Sequence, residues 1–311
     1  MLSSKGKVLQ IKEYQNDACE VYDMQIEKVI RDRYPTKVVQ VHKRLDPNSK
    51  WAVKVCYKHD KEKGISAERQ FLTEVGLLAG LKHPFIMCLD TVASFPNYFC
   101  FVMPFYEQGT LTKALPTMTQ LLRDEWLVQL CCGIKFLHDR GVAHRDLKSD
   151  NILITNQKNV VIADFGLSDY VWPSEPLVTG RKGTLMHISP EQDNETFNCF
   201  QCDMYSLGVV YWCMLYRVDV IDLKPKEPLL TIASRTFVPE IDRYILSCLL
   251  EADPTKRFSV LSLLHLLNYS ERFVHRIKLL RDEILLSPLN KFNLVLELAG
   301  IRGNNEIIIN F

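Results

Sequence analysis

The spacing of apolar residues divides the chain into a first part with strand-like alternation and a later part with helical spacing. Residues 27–41 predict a strand, a turn and a second strand. Residues 85–89 and 98–103 predict two further strands. In residues 51–57 every second position falls on the same face: one face carries Trp51, Val53, Val55 and Tyr57, and the other carries Ala52, Lys54 and Cys56.

Helical spacing predicts four longer segments. Residues 66–81 keep one apolar stripe, residues 117–140 keep another, and residues 203–216 are apolar nearly all round, which predicts a fully buried helix. A fourth, amphipathic helix follows near the end of the chain. The apolar positions of the first, second and fourth helices are Phe71, Val75 and Leu78; Trp126, Leu130, Ile134 and Leu137; and Phe273, Ile277, Leu280 and Ile284.

The totals are those of a globular protein. The chain has 311 residues, a formal net charge of +1 and 47% hydrophobic residues, which fits one large domain or two lobes. This balance gives no reason to expect nucleic acid as a partner, and no apolar run has the length for membrane insertion or a signal peptide. The ten cysteines show no framework spacing, so we expect reduced thiols and an intracellular protein, cytoplasmic or nuclear.

The densest cluster of polar side chains lies in residues 141–166. It holds, in order, His144, Arg145, Asp146, Lys148, Asn151 and the run DFG at 164–166. Apolar runs at 152–154 and 160–163 flank a polar loop and predict a β-hairpin. That hairpin would bring two aspartates and an asparagine to one end of the sheet, and such oxygen ligands suit Mg²⁺ and a phosphorylated substrate.

The pattern HRDLKxxN followed by DFG resembles the catalytic and metal-binding loops of protein kinases. The resemblance implies an α+β, two-lobed kinase fold over about residues 25–268. Its small β-rich N-lobe would run to about residue 103, and its larger, mainly α-helical C-lobe would start at about residue 110. Residues 1–24 would form an N-terminal extension and residues 269–311 a C-terminal helical extension.

The resemblance also implies roles for the clustered side chains. Asp146 matches the catalytic base for the substrate hydroxyl, and Asn151 and Asp164 match the residues that hold Mg²⁺. Lys148, in the order typical of serine/threonine kinases, would stabilise the transferring phosphoryl group of ATP. His144 is expected to be a packed structural histidine.

The nucleotide site is implied by three further segments. Lys54 matches the strand lysine that holds the α- and β-phosphates, with Ala52 before it. The resemblance pairs Lys54 with Glu74 of the following helix, and Glu68 is the alternative partner. Two residues of the implied hinge complete the ATP-binding set: Met103 in the gatekeeper position and Tyr106 along the adenine.

Residues 164–191 resemble an activation segment that ends with SPE in place of A-P-E. Thr184 matches the threonine that contacts the catalytic lysine and base. Arg145 suggests regulation, because an arginine there can pair with a phosphorylated residue. Thr179 is the first candidate phosphosite, followed by Ser168 and Ser174, and all three fit equally well as plain loop hydroxyls.

Two later residues are implied to support the site. Asp203 matches the aspartate that braces the catalytic-loop backbone. Arg257 matches the arginine that pairs with the glutamate closing the activation segment, here Glu191. The pair Cys199 and Cys202 has the spacing of half a zinc site or of a redox motif, but a lone pair supplies too few ligands, so we expect neither.

One part of the kinase pattern is missing. The chain has no glycine between Gly6 and Gly64, where the family carries a glycine-rich loop over the ATP phosphates. Glycines let backbone N–H groups approach phosphate closely. Arg31, Arg33 and Lys37 offer positive charge there instead, and a solvated charged turn is the alternative.

We therefore predict a kinase that transfers the γ-phosphoryl group of ATP to Ser/Thr hydroxyls of a protein substrate. The alternative is a pseudokinase, a nucleotide-binding or scaffold protein, which the missing glycines support. A small-molecule kinase is disfavoured by the SPE run and by Asp203 and Arg257.

The C-terminal extension is expected to pack on the C-lobe, and binding of a regulatory partner is the alternative. The acidic residue Asp150 favours, by charge complementarity, a substrate with basic residues near the target hydroxyl.

Overall fold

The N-terminal part of the chain is a β-sheet and the C-terminal part is helical, as predicted for two lobes. The computed structural model describes residues 8–12, 21–33, 36–43, 45–57, 64–94, 98–220 and 238–286. The sheet has six antiparallel strands in the order β1-β2-β3-β4-β6-β5. They are β1 (Val8–Lys12), β2 (Val21–Arg33), β3 (Thr36–Lys43), β4 (Asp46–Tyr57), β5 (Thr91–Ser94) and β6 (Tyr98–Pro104).

The predicted alternation in β4 is confirmed by the packing of its two faces. Val53 and Val55 lie in a separate cluster with valines of β3, whereas Ala52 and Cys56 belong to the main core. We call the face with Ala52, Lys54 and Cys56 the cleft face and the opposite one the outer face. Helix α1 (Gly64–Ala79) packs against β4 on the cleft face and turns Glu74 towards Lys54.

The prediction of a strand at residues 85–89 is wrong. This run connects α1 to β5 and packs against the C-lobe, with Phe85, Ile86 and Met87 inside the core. It makes one bridge to the C-lobe: the N–H of Met87 donates to the carbonyl oxygen of Ile162 at 2.9 Å, and the N–H of Ile162 donates to that of Phe85 at 2.9 Å. The edge strand of the sheet is instead β5, which begins after this connection.

The C-lobe is built from helices with short strands between them. The helices are α2 (Leu111–Ala114), α3 (Gln120–Asp139), α4 (Cys199–Tyr216), α5 (Glu240–Leu249), α6 (Val260–Tyr269) and α7 (Glu271–Leu286). The strands are β7 (Val142–Ala143), β8 (Ile152–Ile154), β9 (Val160–Ile162), β10 (Asp169–Tyr170), β11 (Leu177–Val178) and β12 (Phe197–Asn198). Strands β8 and β9 pair antiparallel, which confirms the predicted hairpin. None of the helices in the described ranges is long and apolar enough to cross a membrane.

Two predicted helix starts are corrected by side-chain caps. Helix α3 begins at Gln120 rather than at residue 117, because the Thr119 hydroxyl accepts the N–H of Leu122 at 3.2 Å. Helix α4 begins at Cys199 rather than at Asp203, because the side chain of Asn198 accepts two N–H groups of the first turn. The Cys199 and Cys202 thiols therefore lie inside a buried helix.

Helix α7 packs on the C-lobe, which confirms that prediction for the described part of the extension. Phe273, Ile277 and Leu280 are buried in the main core. Arg272 links α7 to α3 and α5 by ion pairs. Its Nε lies 2.8 Å from Oδ2 of Asp124, and its Nη1 lies 2.8 Å from Oδ2 of Asp242. Residues 287–311, with the apolar run at 294–298, lie outside the described residues, as does the side chain of Ile284, and the domain boundaries stay predictions.

Candidate active site

The strand lysine, the α1 glutamate and the DFG aspartate form one buried ion-pair group. Nζ of Lys54 lies 2.9 and 2.7 Å from the two carboxylate oxygens of Glu74. It also lies 2.8 Å from Oδ1 of Asp164. The contact implied by the resemblance is thus made by Glu74, while the side chain of the alternative, Glu68, lies outside the described residues. This pairing is needed because a buried ammonium without a partner is costly.

The charges in this group shift one another's protonation. Burial by itself would lower the pKa of Lys54, but the attraction of Asp164 and Glu74 outweighs it and raises that pKa. The positive charge of Lys54 holds the pKa of Asp164 well below its ordinary value. Burial raises the pKa of Glu74 in spite of the opposing attraction of Lys54. Asp164 is therefore kept ionised more firmly than Glu74.

The side chain of Asp146 is held at both carboxylate oxygens. Oδ2 accepts from Nζ of Lys148 at 2.7 Å and from Nδ2 of Asn151 at 2.9 Å. Oδ1 accepts from the hydroxyl of Thr184 at 2.8 Å, and that hydroxyl accepts from Nζ of Lys148 at 2.7 Å. The two contacts implied for Thr184 are present, so the activation segment is bonded to the catalytic loop in this conformation.

The residues present fit a hard divalent cation. The Asn151 amide nitrogen donates to the carbonyl and to the carboxylate of Asp146, which leaves its amide oxygen for a cation. Pairing of β8 with β9, continued by the bond from the N–H of Ala163 to the carbonyl of Asn151 at 2.8 Å, brings Asp164 next to Asn151. Within the described ranges no group of three or more His, Cys, Asp or Glu side chains could hold a metal ion. Oxygens of phosphate and water would complete the coordination, as is usual for Mg²⁺.

The backbone of the catalytic loop is held by Asp203, the residue implied to brace it. Its carboxylate accepts the backbone N–H of His144 and that of Arg145, each at 2.8 Å, and it contacts Nε2 of His138 at 2.9 Å. Arg145 has a left-handed φ of 64° and Asp164 one of 65°. Non-glycine residues rarely adopt this backbone conformation, and strain of this kind is common at functional sites.

The histidine of the catalytic loop is packed, as expected. Its ring is buried against Phe165, with 4.9 Å between the ring centroids. Nε2 lies 3.0 Å from the carbonyl oxygen of Ala163, and Nδ1 accepts the N–H of Asp146 at 3.2 Å. Both ring nitrogens are thus used to hold backbone.

Arg145 pairs with a carboxylate in the described structure, and its pairing with a phosphorylated residue stays a prediction. Arg145 is buried and pairs with Asp169, and it also donates to the carbonyl oxygen of Gly180. Lys182 contacts the same aspartate at 2.9 Å. Sequence reasoning missed this group, because nothing in the spacing links Asp169 to Arg145. Thr179 is exposed and next to Gly180, and its phosphorylation stays a prediction.

The other candidate phosphosites differ in access. Ser174 is exposed, whereas Ser168 is buried and its hydroxyl donates to the carbonyl oxygen of His144 at 3.1 Å. Phosphorylation of Ser168 would first require that bond to open.

Glu191 and Arg257 form the implied ion pair, with Nη2 2.9 Å from Oε2, and both side chains are buried. Burial alone would raise the pKa of Glu191, but the hydrogen bond and charge of Arg257 lower it. Near this pair, burial raises the pKa of the Cys199 thiol to about 12 and also raises that of Cys202. Protonated, buried thiols argue against the redox interpretation of the CxxC spacing.

The residues implied to line the adenine lie at the hinge end of the sheet. Ala52 pairs with Met103 across β4 and β6, and both are buried. Tyr106 follows in the segment that leaves β6 and is partly buried. Gln40 pairs with Ala52 from the other side, and its Oε1 is buried without a hydrogen-bond partner among the described residues. Sequence reasoning missed Gln40, although a glutamine inside an apolar strand was a signal that could have marked it.

Of the two predicted basic residues whose side chains the structure describes in the glycine-free hairpin, Arg31 and Lys37, Arg31 lies at the site. Nη1 of Arg31 lies 3.4 Å from Oδ2 of Asp164. Lys37 lies on the outer-face row with Val55 and pairs with Asp32 at 2.8 Å. The side chain of Arg33 lies outside the described residues. The two alternatives for this hairpin, phosphate contact and a solvated turn, both stay predictions.

The comparison with known proteins agrees with this geometry. The family model of the protein kinase domain matches residues 36–267. The chain therefore belongs to the protein kinase family, and its relatives identify it as a member of the eukaryotic-type serine/threonine kinase group.

Three relatives illustrate the range of similarity. The chain is 31% identical to the serine/threonine-protein kinase Nek1 of Mus musculus over 70% of its own length and 19% of that protein. It is 28% identical to serine/threonine-protein kinase 33 of Bos taurus over 70% of its own length and 49% of the relative. It is 27% identical to CBL-interacting serine/threonine-protein kinase 16 of Arabidopsis thaliana over 76% and 55%. The matched part is thus little more than half, or less, of each relative's length.

Proposed function

We propose that this chain is an active serine/threonine protein kinase, which uses ATP and Mg²⁺ to phosphorylate Ser or Thr hydroxyls of a protein. The observation that carries the proposal is the set of bonds around Asp146. A carboxylate that accepts from Lys148, Asn151 and Thr184 is fixed in position, as a base for an incoming hydroxyl must be.

The chain's own residues would divide the work of the reaction. Lys54, held by Glu74, would bind the phosphates of ATP, and Ala52, Met103 and Tyr106 would enclose the adenine. Asp146 would orient the substrate hydroxyl and accept its proton, while the Lys148 ammonium would stabilise negative charge on the transferring group. Asn151 and Asp164 would hold Mg²⁺, which when bound neutralises charge between the phosphates. Catalysis would thus come mainly from positioning and electrostatics.

The preference for Ser and Thr rests on Lys148 and Thr184. Their mutual bond and their bonds to Asp146 make the arrangement that the resemblance associates with serine/threonine kinases. Phosphoamino-acid analysis of the labelled product tests this point, and phosphotyrosine as the main product would contradict it.

The second candidate function is a pseudokinase that binds nucleotide or a partner protein without turnover. Two observations favour it: the chain lacks the glycines of the phosphate loop, and Arg31 lies against the carboxylate of Asp164. Against it stands the set of charged side chains described above, because the missing loop carries no reacting group.

Transfer of phosphate from labelled ATP separates these candidates. The purified chain with Mg²⁺ would be assayed for autophosphorylation and for transfer to a generic basic protein. Asp146→Asn removes the proposed base and should lower the rate by about 10²–10⁴-fold, and Asp164→Ala should also abolish transfer. Asp139→Asn changes a surface carboxylate that pairs with Lys135 and is the matched control.

Two results would contradict the proposal. Transfer that survives in Asp146→Asn would assign the activity to a contaminant or to a different base. No transfer by folded native chain, with or without prior phosphorylation of the activation segment, would favour the pseudokinase.

An intracellular location stays part of the proposal because the cysteines are scattered along the sequence, and imaging of a tagged chain would test it.

A further inference from the structure

Arg31 lies in one cross-strand row with Lys54. Arg31 of β2 pairs with Val38 of β3, and Val38 pairs with Lys54 of β4. Residues directly opposite each other in antiparallel strands project to the same face of the sheet. Arg31 and Lys54 therefore both project from the cleft face, two strands apart, with Val38 between them.

A β-bulge sets this register. Val29 pairs with Val39 and Arg31 pairs with Val38, so that Ile30 is the extra residue. In a regular ladder Ile30 would oppose Val38, and Arg31 would project from the outer face, because a shift of one residue exchanges the faces. Bulges near active sites often redirect a side chain in this way. Here the bulge leaves Ile30 46% exposed and turns a guanidinium into the cleft.

The two cations meet at the same carboxylate. Lys54 contacts Oδ1 of Asp164 at 2.8 Å and Arg31 contacts Oδ2 at 3.4 Å. Asp164 is one of the two side chains that would hold Mg²⁺ beside the phosphates. A guanidinium at its carboxylate is therefore within reach of a phosphate bound there. Among the described residues, Asp164 is the hydrogen-bond partner of Arg31, and a guanidinium carries five N–H donors.

The backbone of this hairpin is poorly suited to the same task. Every residue from 25 to 41 carries a side chain at Cα, since the segment has no glycine. A close approach of backbone N–H groups to phosphate is what glycine permits. A guanidinium, by contrast, presents a planar fork of donors that matches phosphate oxygens, together with a full positive charge.

We propose that Arg31 is a phosphate-binding residue of the ATP site, which supplies from a side chain the contacts that a glycine-rich loop supplies from its backbone. The proposal rests on the nucleotide-binding part of the proposed function. It concerns the affinity for the phosphates of ATP and makes no demand on phosphate transfer.

Calorimetric titration of the full chain with ATP, ADP and adenosine tests the proposal. Each nucleotide would be titrated with Mg²⁺ and again in EDTA. Arg31→Gln removes the charge and the fork, and Arg31→Lys keeps the charge alone. Lys37→Gln is the matched control, because it removes one positive charge from the outer face of the same hairpin. Binding of adenosine reports whether each variant keeps an intact adenine site.

The proposal expects ATP to bind the Arg31→Gln variant about tenfold to a hundredfold more weakly than the native chain, with adenosine unchanged. Arg31→Lys should recover part of the loss, and the loss should persist in EDTA, since the contact is direct. Lys37→Gln should bind ATP like the native chain.

Three results would overturn the proposal. In the first, the Arg31→Gln variant retains the preference of the native chain for ATP over adenosine. In the second, the native chain itself shows no such preference. In the third, the loss of ATP affinity vanishes in EDTA, which would mean that Arg31 acts only through Asp164. None of these depends on turnover. A chain that binds ATP through Arg31 and transfers no phosphate would refute the proposed function and uphold this inference.

Discussion

The pH dependence of folding stability tests the burial of a titratable group, His83, against helix α3. The ring is 7% exposed, its centroid is 4.6 Å from that of Phe136, and Nδ1 accepts the N–H of Phe85 at 3.2 Å. An Nδ1 that accepts cannot also carry a proton. Burial, helped by the positive charge of Arg140, lowers the pKa of His83 to about 3 from 6.5.

The direction and size of the effect follow from these two pKa values. The unfolded chain binds the proton at higher pH than the folded chain, so the stability due to His83 is complete above pH 6.5 and is lost as pH falls towards 3. Linkage gives a fall of about 2 kcal/mol in the free energy of unfolding between about pH 7 and pH 5 from this one group.

Urea denaturation, followed by tryptophan fluorescence at these two pH values, measures that fall. His83→Asn is the informative variant, because its amide oxygen can accept the N–H of Phe85 and does not titrate. Its loss of stability on acidification should be smaller than that of the native chain by about 2 kcal/mol. Burial also lowers the pKa of His187 to about 4, but that contribution is present in both proteins and cancels.

The matched control is His265→Asn, at an exposed position, which should lose as much stability on acidification as the native chain. The reasoning is refuted if His83→Asn and the native chain lose equal stability between the two pH values. That result would mean that protonated His83 is accommodated in the folded state.

Three further predictions concern the supports of the site. Arg257→Met should cost about 3–5 kcal/mol in urea denaturation because it leaves the buried Glu191 carboxylate unpaired, and Glu191→Leu in the same chain should recover most of that loss; a cost under about 1 kcal/mol would contradict it. Thr184→Val should lower the transfer rate by about 10- to 100-fold with little change in the KM for ATP, whereas Thr184→Ser should stay close to native; a native-like rate in Thr184→Val would contradict the role of the hydroxyl. Phe273→Ala should cost about 3–5 kcal/mol and Val274→Ala, at a 43% exposed position, within about 0.5; similar values would show that α7 is not packed in solution.

Much of the fold was readable from the sequence because local pattern and tertiary packing agree. The alternation of β4 and the hairpin of β8 and β9 formed as predicted. The run at 85–89 misled for a physical reason: a connection from α1 to β5 that packs against the other lobe needs the same apolar residues as a strand. Its backbone groups bond to β9 of the other lobe, which no local pattern specifies.

Contacts between residues of known sequence motifs were predicted from the sequence. Contacts that depend on the path of the chain between motifs were missed. The contact of Lys54 with Glu74 followed from the resemblance and is present. The pairing of Arg145 with Asp169 did not, because that segment folds back by a path that residue spacing does not specify. Arg31 could not be told apart from its neighbouring cations, since a bulge at Ile30 decides which face it occupies.

The carboxylate of Asp203 makes the shape of the catalytic loop depend on the helix that carries it. The left-handed backbone at Arg145 is held by an acceptor 58 residues further along the chain, on a helix buried in the C-lobe. Without that helix in place, the N–H groups of His144 and Arg145 lose their acceptor, and the left-handed backbone at Arg145 loses a support. The catalytic geometry thus depends on an assembled C-lobe. A nascent or partly melted chain would present the right residues without the shape that makes them useful, so phosphate transfer would report the completed C-lobe rather than the mere presence of the motif.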